Sequence, residues 1–139
     1  MPASLTLEEA EAVLAAAKAK AEEIGQPMNI AVCDDGGHLV VFARMDAAIK
    51  VSVDISQRKA RTAIMMNLPT DALSGITQPG AELYGLEWTS GGLVSFGGGM
   101  LLSRRGDTVG AIGVSAGSVA QDMEVAAAGV AALPKTREK

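Results

Sequence analysis

The ten residues Gly91-Gly92-Leu93-Val94-Ser95-Phe96-Gly97-Gly98-Gly99-Met100 place five glycines around the stretch 93–96. Glycine reaches positive φ freely and lets another backbone approach, but it weakens a strand interior. A chain that spends five of its sixteen glycines here needs backbone shape at this point more than side-chain packing. A phosphate cradle is excluded, because no Gly-Lys-Ser/Thr closes the run and no long apolar helix follows directly. The pattern predicts instead a tight junction between two strands, 92–96 and 99–104, whose exposed amides at Gly97, Gly98 and Gly99 line a ligand pocket.

The rest of the chain supplies the frame for that junction. Thr6-Leu7-Glu8-Glu9 has capping-box spacing, and the apolar stripe Leu7, Ala10, Val13, Leu14, Ala17, Ala21 predicts a helix that Gly25 and Pro27 end. Residues 28–34 and 39–44 are β-rich and flank Asp35-Gly36-Gly37, a hairpin signal. A second helix is expected over 51–67, stopped by Pro69, with a helical turn near 71–75 inside the irregular segment 69–90. Arg104-Arg105-Gly106-Asp107 turns the chain into a last strand, 108–115. Ser118-Val119-Ala120-Gln121 is a second capping box, opening a helix to about residue 133 before a charged tail at 135–139. Consecutive strands joined by short turns pair antiparallel. The expectation is an α+β fold in which helices cover a five-stranded antiparallel sheet, all within one domain of 139 residues.

Composition narrows function. Aromatic residues are 3% of the chain and the net charge is −4, so platforms for stacking bases are few and phosphate is repelled; nucleic acid is not expected as a partner. Charged residues interrupt every apolar run before it reaches the ~18 residues that span a membrane. The N-terminus, Met1-Pro2-Ala3-Ser4 and then acidic residues, lacks the basic and apolar segments of a signal peptide. The single cysteine, Cys33, forms no internal disulfide; together these predict a cytoplasmic protein.

Several blocks in order resemble one family. They are 29–39 (Asn-Ile-Ala-Val-Cys-Asp-Asp-Gly-Gly-His-Leu), Phe42-Ala43-Arg44-Met45-Asp46, Arg58-Lys59-Ala60-Arg61-Thr62-Ala63, Gln78-Pro79-Gly80, Leu83-Tyr84-Gly85-Leu86-Glu87, the glycine cluster, Gly110-Ala111-Ile112-Gly113-Val114-Ser115 and Gln121-Asp122. Over residues 5–133 the chain is similar to the GlcG/HbpS-like family, which includes haem-binding proteins and the C-terminal domain of PduO-type proteins. The resemblance implies a profilin-like three-layer α/β/α domain assembled into homo-oligomeric tetramers or octamers. It also implies association with haem or small organic ligands in some members; the reading built on it is a pocket at or near a subunit interface for a small anionic organic ligand, haem among the candidates.

Candidate site residues follow from side-chain chemistry. Arg44, Lys59 and Arg61 are cations suited to a carboxylate, Arg by paired hydrogen bonds and Lys as a point charge. The other reading is a solvated basic face shared with Arg58. Tyr84 and Glu87 lie in a segment longer than the ~12–15 residues usual for a structureless loop, and such loops are often functional. Both are candidate catalytic residues, Tyr84 as general acid or iron ligand and Glu87 as acid or base, with interface packing as the alternative. No protein metal site is expected, because His38 is the only histidine and stands without companion ligands. Asp122 and Glu124 read as acids favoured by a helix N-terminus. Three functions stay open: a haem- or small-ligand-binding protein, a cofactor-independent lyase or isomerase of a small organic acid such as a hydroxylamino-aromatic acid, and an accessory subunit.

Overall fold

The computed structural model describes residues 4–134, so the tail expected at 135–139 lies outside the described residues. Helix α1 (Leu7–Ile24) starts at the predicted capping box, with Glu9 N donating to Thr6 Oγ1 and Thr6 N to Glu9 Oε1. It ends at Gly25, whose φ of 71° is left-handed. Strands β1 (Asn29–Asp34) and β2 (Leu39–Arg44) form the expected hairpin. Helix α2 (Val51–Met66) follows, then three short 3-10 turns, Thr70–Leu73, Gly75–Thr77 and Leu86–Trp88. Strands β3 (Gly99–Arg104) and β4 (Asp107–Ser115) and helix α3 (Val119–Ala131) come last among the described residues. All strand pairs are antiparallel, in the order β2-β1-β4-β3.

Among the described residues the sheet has four strands, not the expected five. Residues 92–96 bury Leu93 and Val94, but the main chain around them is turned at Gly91, Gly92 and Gly98, all at positive φ. Their amides are satisfied elsewhere: Leu93 N donates to Glu87 O at 3.1 Å and Val94 N to Thr62 Oγ1 on α2 at 3.0 Å. The helix side chain takes the place that a neighbouring strand would have held.

Alternation along β1 and β4 assigns the two faces. Ile30, Val32, Ile112 and Val114 pack with Val13, Ala17 and Val125 from α1 and α3, and make the main core. The opposite face is lined by small residues, and there Cys33 and Ala111 meet Ala60 and Ala63 of α2. A Cβ at Gly113 would strike Ser56 O and lie 2.6 Å from Ala60 N, so α2 rests directly on the β4 backbone. This close seat fixes which α2 side chains point inward and which reach the rim.

Candidate functional site

Helix geometry separates the cations of α2. Arg58 and Arg61, three positions apart, share a side, while Lys59 projects away from them. On the Arg58–Arg61 side a cleft of about 320 Å³ opens between α2, the β1–β2 turn and the turn at Gly91. Cys33, Leu39, Gln57 and Ala60 contribute to its lining. Arg58 is committed to the wall: its Nε donates to Asp54 Oδ2 at 2.7 Å, and its Nη1 donates to Gly91 O and, at 3.4 Å, to Gly92 O. Arg61 is not committed. Its stem runs past Gly37 and its guanidinium past Gly91, and no hydrogen bond or ion pair engages it among the described residues. Burial pushes the Cys33 thiol in this lining up to about 12, so it is a small apolar group here rather than a nucleophile.

Lys59 occupies the opposite setting. It is 0% exposed. Its Nζ donates to Asp122 Oδ2 and to Val114 O, both at 2.8 Å, and lies 4.9 Å from the centroid of the Phe96 ring. Asp122 Oδ1 accepts from Gly117 N at 3.0 Å. Burial draws the Lys59 ammonium below its usual range and the Asp122 carboxyl above its own, and their mutual attraction opposes both shifts. The glycine cluster roofs this pair. A Cβ at Gly98, whose φ is 127°, would lie 2.5 Å from Val114 O and 2.6 Å from Lys59 Nζ. A Cβ at Gly99 would lie 2.5 Å from Lys59 O, and one at Gly97 2.6 Å from Met123 Sδ. Gly99 N donates to Thr70 Oγ1, and Gly98 O accepts from Val114 N. Gly97, Gly98 and Gly99 are thus buried, with Gly98 O and Gly99 N paired inside the fold, and they do not line the cleft.

The remaining sequence-predicted residues are spread over the surface. Arg44, exposed at the end of β2, borders a separate groove of about 390 Å³ with Lys18, Glu22 and Met45. Tyr84 is 67% exposed. Glu87 is half-buried and accepts from Ser95 Oγ at 2.7 Å. Neither lines the cleft. Arg44, Lys59 and Arg61 therefore sit in three different environments. Sequence reasoning passed over Gln57 and Gly91 as cleft residues, and read Asp122 as a helix-end acid instead of the partner of Lys59. The signal for the first was the three-residue spacing of Arg58 and Arg61, which puts one face of α2 on the cleft. Nothing local in the sequence joins Asp122 to a lysine 63 positions away.

The model of the haem-degrading protein HbpS-like family matches residues 5–131. The corrinoid adenosyltransferase PduO of Citrobacter freundii is 42% identical over 131 residues, covering 94% of this chain and 39% of the relative; the chain thus spans about two-fifths of that protein's length. An uncharacterised 15.0 kDa protein of the same organism, from the dhaT-dhaS intergenic region, is 43% identical over 121 residues, 86% of this chain and 85% of that one. Among solved structures, the PduOC:haem complex superposes with a TM-score of 0.89 at 39% identity, over 94% of this chain and 95% of the other. The chain belongs to the HbpS-like family.

Proposed function

We propose that this chain binds a planar, carboxylate-bearing small molecule in the cleft between α2 and the β1–β2 turn, and that haem is such a ligand. The observation that carries the reading is the unengaged Arg61 guanidinium beside that cleft. Haem, which the PduOC structure contains, presents propionates, an apolar ring and an iron that accepts nitrogen, sulfur or phenolate ligands. The groups present fit those three needs: Arg61 for a propionate, the exposed Leu39 for the ring, and the His38 imidazole at the rim for the metal. When bound, haem supplies redox-active iron; the chain supplies charge, apolar contact and a boundary to water. The cleft of about 320 Å³ is at the small end of ligand pockets, which span about 300–1,000 Å³. The rest of the ligand would then lie against the rim or a second subunit, in keeping with the homo-oligomer, tetramer or octamer, that we propose. A lyase acting on a hydroxylamino-aromatic acid is less favoured, because the one carboxylate in the lining, Asp54, is held by Arg58.

The test is a titration of the chain with haem and, separately, with benzoate. Loss of a hydrogen bond to a charged group costs ~1.5–3 kcal/mol, so Arg61→Ala should bind at least about tenfold more weakly. Unchanged affinity for both ligands, with unchanged thermal stability, would refute the cleft.

A further inference from the structure

We infer that Gln57 sets the specificity of this cleft, selecting anionic ligands that carry a hydrogen-bond donor about one helical turn from their carboxylate; the inference rests on the anion cleft proposed above. Asp54, Gln57, Arg58 and Arg61 follow one another along α2 at spacings of three, one and three residues, so they share the helix face that lines the cleft. Within that row Arg58 and Asp54 are bonded to one another. Gln57 and Arg61, four positions apart, are left to face a ligand. Side chains at that separation start about 5–6 Å apart at their Cβ atoms, a span comparable to a six-membered ring with one substituent at each end.

The Gln57 amide is oriented by the helix itself. Its Nε2 donates to Val53 O at 3.0 Å. A carbonyl only accepts, so the amide nitrogen and not its oxygen must face Val53. Oε1 is thereby left as an acceptor, and no group among the described residues donates to it. The side chain is half-buried, and a ligand seated in the cleft would cover it further. A ligand without a donor would leave this oxygen unpaired and cut off from water, whereas a hydroxyl or amino group would satisfy it. That difference is what lets a polar group discriminate between ligands of one shape. Asp54, the other acceptor side chain in the lining besides the buried thiol, is 69% exposed and already accepts from Arg58. Water reaches it with or without a ligand, so it discriminates little.

The experiment is a calorimetric titration of the whole chain with 3- and 4-hydroxybenzoate and with the matching fluorobenzoates, for wild type, Gln57→Met, Gln57→Leu and Arg61→Ala. Fluorine is close to hydroxyl in size but donates no hydrogen bond. Wild type should bind at least one hydroxybenzoate about two- to tenfold more tightly than its fluoro counterpart, the worth of one neutral hydrogen bond. Both Gln57 variants should level that pair. Arg61→Ala should weaken all the acids and keep the ratio between them. Circular dichroism confirms that each variant is folded. Equal wild-type affinity for the hydroxy and fluoro acids, or a preference that survives in a folded Gln57 variant, would overturn the inference and leave the cleft standing. No saturable binding of any acid, or full affinity for every acid in Arg61→Ala, would remove the cleft and the inference with it.

Discussion

Lys59 and Gly98 occupy one another's space, and each residue type is explained by the other. The ammonium passes beneath the glycine to reach Asp122 and Val114 O, and Gly98 holds a φ of 127° that a branched side chain tolerates poorly. In Gly98→Val the added carbon meets Val114 O and Lys59 Nζ inside 2.7 Å, on top of the backbone strain. We expect a loss of about 3 kcal/mol or more, read as a lower urea midpoint; Gly75→Ala, where a Cβ meets nothing within 4 Å, is the control. A Gly98→Val chain as stable as wild type would mean the roof is slack. Lys59→Ala should also act on stability before ligand affinity. Removing one member of a buried ion pair leaves the other uncompensated, at a cost of ~3–5 kcal/mol. A folded Lys59→Ala chain with wild-type stability would contradict this placement.

At the scale of elements, α1 is held to the sheet by charge as well as by its apolar stripe. Arg104 Nη2 on β3 donates to Glu9 Oε1 and Oε2 at 2.8 and 2.9 Å, with both side chains nearly buried. Burial works against the Glu9 charge, but the Thr6 amide and Arg104 outweigh it and hold the carboxyl below its usual value. The folded pKa is thus lower than the unfolded one. The stabilisation is therefore complete above the unfolded value of about 4.5 and is lost as pH falls through the folded value. Urea midpoints measured from pH 6 to pH 3 should fall more steeply for wild type than for Glu9→Gln; parallel curves would show that the pair contributes nothing. The capping box at Thr6–Glu9 was legible in the sequence because it is a local spacing. The partner on β3, 95 residues away, was not.

For the whole molecule, the irregular segment leaves several apolar side chains exposed. Trp88 is 91% exposed, and Ile76, Leu83 and Tyr84 are exposed with it; Leu83 N donates to Ile76 O, so these two lie side by side. On α2, Ala63 is buried and Met65 exposed, as the consecutive apolar residues Ala63, Ile64, Met65 and Met66 require when a single sheet covers only one side of the helix. Exposed apolar side chains of this kind are the sort that an interface between copies would cover. Sedimentation at micromolar concentration should show a homo-oligomer, and Trp88→Asp should move the distribution toward smaller species. A wild-type chain that sediments only as monomer would remove the homo-oligomer from the proposed function.

The sequence by itself determined the helices, the hairpin and both capping boxes, because each depends on residues within a few positions of one another. It also located the glycine cluster as a place where backbone shape matters. Tertiary structure decided what that shape serves. The stretch 93–96 has strand-like residues, yet Thr62 of α2 takes its amide and no fifth strand forms. Lys59 and Arg61 are alike as sequence, a cation two positions from a cation. The seat of α2 on Gly113 sends one ammonium into the interior toward Asp122 and leaves one guanidinium at the cleft. Which cation can meet a ligand is fixed by contacts across 55 to 63 residues of chain, and no local pattern encodes such contacts.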